Sequence, residues 1–502
     1  MARISRRSLL TSGAAAGVLA ASGMALTAAP RQGGILRAAV GGAFTDDSWD
    51  SRGHSGLFMM VAAHGMVFDC LTEVGPDGAL RGELAESWQA SADARVWTFD
   101  LRKDVTFHNG KSFGADDVLE TMALHMGRQS ASPAAPLLSA VQDLRKLSDT
   151  QVQFHLSAPN ADFPYLMADY HLIIYPAGYV ELAMMNGIGT GLYRVENFEP
   201  GHRLRARRVS SHYKGASAGF FDEVELLAHN NADARTGALA QRDVDVAAQL
   251  PPQTGRDSLA GGVHLHRVSG NRHIGFALDS STAPFDKADL RRALKIGIDR
   301  TAFLTDVLGG HGRIAQDSPI GPANHYFAAD LAPVPHDPDH ARYLLRRAGI
   351  DGAVLHMTGS AAEGTARAGA AFQSQMQRLG LTTDLAAQPA HGTVRAAQSS
   401  GRATEDWVLS TYLAPGAAWN FGQWEDPRFK SLLLSARSEL DGNRRRALYR
   451  DLQHLLRDEG PIIVPAFADH VFATRDTLGK PATLGNLWAL DNARLAERWW
   501  RV

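Results

Sequence analysis

Three short segments carry residue types that bind phosphate or act as nucleophiles elsewhere, but none of them is complete. Asn109-Gly110-Lys111-Ser112 resembles the end of a phosphate-binding loop, yet Val105 stands where that loop needs its first glycine. Residues 187–191 lack the glycine spacing of a dinucleotide-binding turn. Residues 53–56 lack the five-residue frame that exposes a nucleophilic serine. These patterns favour a protein that is not an enzyme.

The sequence also gives little support for a metal site or for redox chemistry. His264 and His266 would project from one face of a strand, as two metal ligands must, but no third ligand lies near them in the sequence. Solvated strand histidines are the alternative interpretation. Cys70 is the single cysteine, which excludes an intramolecular disulfide and a cysteine-based zinc or iron–sulfur site. We expect no metal centre and no cofactor.

The amino-acid composition excludes further classes of protein. The 51 Lys and Arg residues are balanced by 53 Asp and Glu residues, so the chain lacks the positive excess of a nucleic-acid-binding protein. A hydrophobic fraction of 45% over 502 residues is that of a globular protein. This length predicts about three domains with large buried cores.

The first thirty residues have the composition of an export signal. Arg6 and Arg7 precede an uncharged run, rich in alanine and glycine, that reaches Ala29. Paired arginines before a weakly apolar stretch are typical of a twin-arginine signal peptide. The alternative is a membrane anchor, for which the glycines, serines and threonines are poorly suited. We expect residues 1–29 to be removed and, since no cysteine lies nearby, the mature protein to be periplasmic without a lipid anchor.

The elements that must position any site alternate between strands and helices. Residues 97–101 and 151–156 alternate apolar and polar side chains, which predicts strands with one buried face. Residues 337–349 and 441–460 each combine a capping aspartate, an apolar stripe and a closing glycine, which predicts helices. Strands followed by strands and then by helices predict mixed α/β layers rather than one doubly wound sheet.

Several segments together resemble the family 5 extracytoplasmic solute-binding proteins of ABC importers. The segments that resemble its signature are 84–88, 96–103, 105–111 and 115–118. Further similar segments follow in the expected order at 189–193, 238–246, 284–300 and 336–349. Gln241 departs from the pattern, because glycine is common there. The resemblance extends from Gly33 to Val502.

This resemblance implies an α/β fold: a two-lobed periplasmic-binding-protein clamp, similar to type II, with an additional third α/β domain. Lobe one would comprise residues 34–60, 185–275 and 478–502. The additional domain, residues 61–184, would pack on lobe one, and residues 276–477 would form lobe two. Part of the binding energy would be used to close the hinge between the lobes.

The resemblance also places the ligand between the lobes. In peptide-binding relatives, an aspartate on a loop of lobe two holds the amino terminus of the ligand. The matching residues 407–423 contain no acid, which weakens a peptide interpretation because a buried ammonium needs a carboxylate partner. The predicted ligand contacts are Tyr412, Trp419 and Asn420 in this region; Asn271, Arg272 and His273 where the chain crosses between lobes; and Phe44, Thr45 and Trp49 on the opposing wall.

Roles can be assigned to some of these residues. The indole of Trp419 would supply apolar contact, and the amide of Asn420 would orient polar groups. The guanidinium of Arg272 could bind a ligand carboxylate in a forked geometry. A surface loop and a solvated arginine are the alternatives. Residues 169–171 are a further candidate for the wall.

We therefore expect the periplasmic substrate-binding component of an ABC importer, which captures peptide-like solutes by hinge closure and delivers them to the ABC permease complex of the inner membrane. The protein would act as a monomer, with a small-molecule or peptide ligand and no nucleic acid. One alternative is the same binder with a nickel chelate, haem, an opine or a sugar as its ligand. Another is a secreted hydrolase, which no motif supports.

The export signal can be tested directly. Replacing Arg6 and Arg7 together with lysine should retain the precursor in the cytoplasm, because twin-arginine export depends on that pair. Fractionation followed by immunoblotting measures the result. Undiminished export of the double variant would contradict the assignment.

Overall fold

The computed structural model describes residues 30–502 apart from residues 128–129, 131, 252–253, 256–258, 260, 351, 360–362, 386–392, 416 and 418. The predicted signal peptide, residues 1–29, lies outside the described residues and stays a prediction. Within the described ranges, no helix combines the length and the apolar character needed to cross a membrane.

The strands are short, apart from two long ones. In chain order they are β1 Ile35–Val40, β2 Thr72–Val74, β3 Leu80–Gly82, β4 Ala85–Ala90, β5 Val96–Leu101, β6 Val141–Ser148, β7 Gln151–Leu156, β8 Tyr193–Glu199, β9 Arg203–Arg208, β10 Glu223–Ala228, β11 Val246–Ala247, β12 Val263–Leu278, β13 Gly312–Ile314, β14 Val354–Gly359, β15 Thr382–Leu385, β16 Thr393–Ser399, β17 Ile462–Ile463, β18 Ala466–Arg475, β19 Leu478–Gly479 and β20 Trp500–Arg501.

The helices lie mainly in the second half of the chain. They are α1 Leu57–Met59, which continues as a wider helical turn over Met60–Val67, α2 Ala115–His125, α3 Ala135–Leu138, α4 Phe163–Leu166, α5 Val180–Asn186, α6 Ala232–Ala240, α7 Ala288–Gly297, α8 Arg300–Leu308, α9 Pro338–Ala348, α10 Glu363–Arg378, α11 Glu405–Tyr412, α12 Pro427–Ser438, α13 Gly442–Glu459 and α14 Leu495–Arg498. Residues Ala489–Asn492 form a separate turn.

The predicted strands and helices are confirmed. Strands β5 and β7 show the expected alternation of buried and half-buried residues. Helix α9 is capped by Asp337 and ends at Gly349, whose φ of 70° is in the left-handed region that glycine tolerates. Helix α13 is capped by Asp441 and followed by Gly460.

One sheet of twelve strands runs through both predicted lobes. Its order is β15-β14-β16-β12-β18-β11-β1-β10-β9-β8, with β13 and β17 added at β18 and β12. The first half of β12 pairs with β18, and its second half pairs with β16 and β17, with a change of register between Ser269 and His273. Strands β12 and β18 therefore connect the two halves of the molecule.

A second sheet belongs to the additional domain. Strands β4, β5, β7 and β6 form an antiparallel sheet in that order. Its buried face packs with helix α2 and residues around Phe163 into a separate core, centred on Phe99 and Phe154, whose rings meet edge to face with centroids 5.6 Å apart.

The hydrophobic cores depart from the predicted limits in three places, one of which is that the buried apolar residues of segment 173–183 belong mostly to the core of lobe one. Most apolar residues of segment 61–70 pack in the core of lobe one, and Leu71 begins the core of the additional domain. In β18, Val471–Ala473 also pack on lobe one. The packing thus extends lobe one beyond residue 60, into segment 173–183 and into β18, and the remaining limits stay predictions.

A buried group of charges ties the additional domain to lobe one. This group, called the ion cluster below, consists of Glu73, Glu83, Lys214, Arg494, Glu497 and Arg498. The ammonium of Lys214 lies within 3.3 Å of a carboxylate oxygen of each of the three glutamates. Arg494 binds Glu83 at 2.7 Å and Glu497 at 2.9 Å. The cluster joins residues that lie more than 400 positions apart in the sequence.

Charge balance explains why such a cluster is stable. Burial opposes the charge of Lys214, but the three carboxylates raise the pKa of its ammonium well above the usual value. Burial raises the pKa of the Glu83 carboxyl to about 7, against the opposing charges of Arg494 and Lys214. The three carboxylates have the spacing of metal ligands, but the ammonium of Lys214 already contacts all of them.

Replacing Lys214 with methionine should strongly destabilise the fold. The variant leaves three buried carboxylates with two guanidinium groups, and removing one partner of a buried ion pair commonly lowers stability by about 3–5 kcal/mol. Denaturant unfolding measures the loss. Lys146→Met is the control, since Lys146 pairs at the surface with Asp116 and Asp149 and its loss should have little effect. Equal stability of the two variants would contradict the role of the cluster.

Candidate ligand-binding cleft

Three aromatic rings of lobe two surround one cation, and of these four residues Trp419 is exposed while the other three are half-buried. We call Arg402, Trp407, Tyr412 and Trp419 the aromatic wall. The guanidinium carbon of Arg402 lies 5.3 Å from the ring centroid of Trp407 and 5.3 Å from that of Trp419. The rings of Tyr412 and Trp419 lie 5.8 Å apart. Arg402 therefore lies against the faces of two indoles, an arrangement favoured by the cation–π interaction.

Arg402 and Trp407 are the members of the wall that were not among the predicted ligand contacts, and the donors of Arg402 are only partly used. Its Nη1 donates to the carbonyl of Gly401 at 2.9 Å, and its Nε is buried without a hydrogen-bond partner among the described residues. No carboxylate of the described ranges lies within ion-pair distance of it. A planar guanidinium with free donors can bind a carboxylate in a forked geometry.

Tyr412, Trp419 and Asn420, the three ligand contacts predicted in lobe two, lie close together. Trp419 is 46% exposed, and the hydroxyl of Tyr412 shares a hydrogen bond of 2.8 Å with Ser399. Asn420 is buried, and its Nδ2 donates to the carbonyls of Leu413 and Ala414, which fixes the loop. Its Oδ1 has no hydrogen-bond partner in the part of the chain that the structure describes. Trp419 and Tyr412 thus remain available for a ligand, and Asn420 mainly holds the loop.

A second group of rings, Tyr170, His171 and Trp488 beside Asp169, is a candidate for the opposing wall. The rings of Tyr170 and His171 are tilted by 34° with centroids 3.9 Å apart, and Tyr170 meets Trp488 edge to face at 5.6 Å. Burial opposes the charge of Asp169, but His171 and, more weakly, Arg402 hold the pKa of its carboxyl below the usual value. Trp407 also packs against the core of the additional domain, and we take the region between the two walls as the candidate cleft.

Trp488 is held in place by an unusual turn. Leu490, Asp491, Asn492 and Ala493 all have φ values between 57° and 65°, in the left-handed region. Non-glycine residues occupy this region at a cost of about 1–2 kcal/mol each. Side-chain hydrogen bonds offset that cost: Asn492 accepts from the backbone of Trp488 at 3.2 Å, and Asp491 accepts from Gly485 at 2.6 Å. Such strained backbone is concentrated at functional sites in proteins.

The crossing strand β12 contributes less than predicted. The amide of Asn271 is completely buried, accepting from the backbone of Ala323 and donating to Asn324, and His273 is buried against Phe467. Burial lowers the pKa of His273 to about 4, so its ring is neutral. Both side chains secure the strand to lobe two rather than face a ligand, and the prediction for them is wrong. Arg272 is half-buried and donates to the carbonyl of Asp469 at 3.2 Å.

The residues that follow β1 divide into two groups. Phe44 and Thr45 are exposed, and lie beside the turn at Gly201. Trp49 is 1% exposed, with its ring 4.8 Å from Phe198 in the core of lobe one. Trp49 is therefore a core residue, and its assignment to the wall is wrong. Phe44 and Thr45 stay predictions.

The comparisons with known proteins agree with this architecture. Residues 79–427 match the model of the bacterial extracellular solute-binding proteins, family 5, over its middle region. That match covers more than half of the chain. The chain belongs to this family. The family membership confirms the resemblance and the clamp fold predicted from the sequence.

Relatives within family 5 differ in what their names say they bind. The di/tripeptide-binding protein 1 of Pseudomonas aeruginosa is 26% identical over 454 residues, which are 80% of this chain and 83% of that protein. The nickel-binding periplasmic protein of Escherichia coli is 26% identical over 57% of this chain and 56% of its own. The periplasmic binding protein AgaA of A. tumefaciens R10, solved with agropinic acid, superposes with a TM-score of 0.78 at 20% identity, covering 93% of this chain and 99% of its own.

Two tryptophan substitutions separate the wall from the core. Trp49→Ala should lower the free energy of unfolding by about 3–5 kcal/mol, because it removes a fully buried ring. Trp419→Ala should lower it by about 1 kcal/mol or less, because nearly half of its side chain already contacts solvent. Urea denaturation of both variants measures the difference. An equal loss of stability would contradict the division into core and wall.

Proposed function

We propose that this protein is the substrate-binding component of an ABC importer, and that its cleft captures peptide-like solutes that carry a carboxylate. The observation that carries the ligand class is the guanidinium of Arg402, which lies against two indoles and whose Nε has no hydrogen-bond partner among the described residues. The protein then delivers its solute to a permease complex in the inner membrane.

The charges of the cleft support an anionic end of the ligand more than a cationic one. Residues 407–423 contain no acid, and Asp169 on the opposing wall is engaged with His171 at 2.6 Å. A ligand ammonium would therefore lack an unpaired carboxylate among these groups. The aromatic wall offers rigid apolar surface to a side chain next to the bound carboxylate.

Other ligands remain as alternatives with less support. An opine-like acid would use the same guanidinium, and the fold is shared with a protein that binds agropinic acid. A nickel chelate is favoured by one relative. However, the described residues offer one group of three metal-ligand side chains, and Lys214 occupies it. We further propose that the protein has no enzymatic activity, is exported by the twin-arginine route to the periplasm, carries no lipid anchor and acts as a monomer.

A ligand panel tests both the function and the role of Arg402. The panel contains di- and tripeptides with free carboxylates, the same peptides as C-terminal amides, agropinic acid and a nickel–histidine chelate. Binding at about a hundred times Kd should stabilise the protein by about 2.7 kcal/mol, which thermal shift detects. We expect the free-acid peptides to bind, and their amides to bind about 10- to 100-fold more weakly, as expected for losing a charge-assisted hydrogen bond.

The matched variants separate the two claims. Arg402→Met should weaken the free acids to the level of the amides, with the amides unaffected. Arg313→Met is the control, since Arg313 also stacks on a ring, that of Phe327, but outside the cleft. If no member of the panel stabilises the protein, the proposed function is wrong. If amides bind as tightly as acids, the function stands and the role of Arg402 is wrong.

A further inference from the structure

Lobe two and the additional domain touch through a buried contact of charged groups. Asp162 precedes helix α4 of the additional domain, and its Oδ1 lies 2.6 Å from Nη2 of Arg445 on helix α13. These residues are only 3% and 6% exposed. Next to them, the backbone N–H of Ala161 donates to the carbonyl of Arg437 at 2.8 Å. The pair therefore joins the two sides of the clamp directly.

The contact contains more acids than bases. We call Asp162, Glu405, Asp406, Arg437 and Arg445 the interlobe ion group. Arg437 pairs with Asp406 at 2.8 Å, and Arg445 pairs with Asp162. Glu405 is 1% exposed, has no ion-pair partner among the described residues, and accepts one hydrogen bond, from the backbone of Tyr326 at 2.5 Å. Three buried carboxyl groups thus share two guanidinium groups.

The surroundings of Glu405 favour its protonated form. The titratable and charged groups around Glu405 come from four parts of the chain. Asp162 and Tyr165 belong to the additional domain, His325 and Tyr326 to the loop after β13, and Asp406 follows Glu405 in the sequence. Helices α12 and α13 contribute Arg437, Arg445 and Tyr449. Burial first, and then the charge of Asp162, raise the pKa of Glu405 to about 7, while Arg445 opposes the shift. Burial and Arg446 lower the pKa of His325, so that ring adds no charge near neutrality.

We propose that closing of the two lobes takes up one proton at the interlobe ion group, so that the closed arrangement is favoured at mildly acidic pH. When the lobes separate, Asp162 leaves, water reaches Glu405, and its carboxyl returns towards the ordinary value of about 4.3. The closed form then binds more protons than the open form between that value and about 7. The advantage of the closed form is complete below this window and is lost as pH rises through it.

The test needs no ligand, so its outcome is independent of the proposed function. In the double variant Lys103→Cys and Ser435→Cys, both at exposed positions, the new thiols carry a donor and an acceptor dye on the two sides of the contact, and the buried Cys70 should not react. Single-molecule energy transfer then measures the ratio of closed to open molecules. We expect this ratio to fall about tenfold or more between pH 5.5 and pH 8.

Three variants assign the titration. Glu405→Gln mimics the protonated group and should keep the acidic closed-to-open ratio at every pH. Asp162→Asn removes the ion pair and should lower the ratio and flatten its pH dependence. His325→Gln, the control, should retain the wild-type profile. Equal ratios at pH 5.5 and pH 8 in the wild type, or an unchanged profile in a folded Glu405→Gln, would overturn the proposal.

Discussion

Strands β12 and β18 impose the constraint on which the rest of the molecule depends. The two strands pair with each other in lobe one. The part of β12 after Ser269 and the part of β18 before Asp469 lie in lobe two, so a single sheet belongs to both halves. The register changes between Ser269 and His273, and β-irregularities of this kind bend and twist a strand. The buried amide of Asn271 ties that bend to the loop carrying Ala323 and Asn324. The lobes can therefore rotate about this crossing while each keeps its own core.

The electrostatics follow from that arrangement. Several cations inside the protein are paired with carboxylates, namely Lys214 and Arg494 in the ion cluster and Arg445 at the contact between lobes. The buried Arg235 and Lys295 donate to backbone carbonyls instead. Arg402 differs, because indoles rather than carboxylates surround its guanidinium. We propose that this cation, which has no carboxylate partner among the described residues, pairs with an acid that the ligand brings. The rule that a buried charge needs a partner explains the stable clusters and supports this proposal.

The sequence was sufficient for the fold and for part of the cleft. Local signals, such as the caps of α9 and the alternation in β5, predicted elements correctly because they depend on neighbouring residues alone. Trp419 and Tyr412 came from the family resemblance, which places a loop but not its side chains. Trp49 was misassigned because an aromatic residue after a strand looks the same whether it faces a core or a cleft.

Arg402 and Trp488 could not be found in this way. The environment of Arg402 is created by rings five and seventeen positions away, once α11 and its loop have folded. The position of Trp488 depends on a left-handed turn built without glycine, which has no sequence signature. Asn271 and His273 were misassigned for a related reason, since the face on which each side chain lies depends on the irregular register of β12.

Native mass spectrometry of the protein purified from its native host shows what the cleft holds and therefore decides the ligand class. We expect a bound peptide-like solute with a free carboxylate in the wild-type protein, absent from Arg402→Met and retained in Arg313→Met. A bound metal chelate or haem, or a solute retained equally by all three proteins, would contradict this expectation.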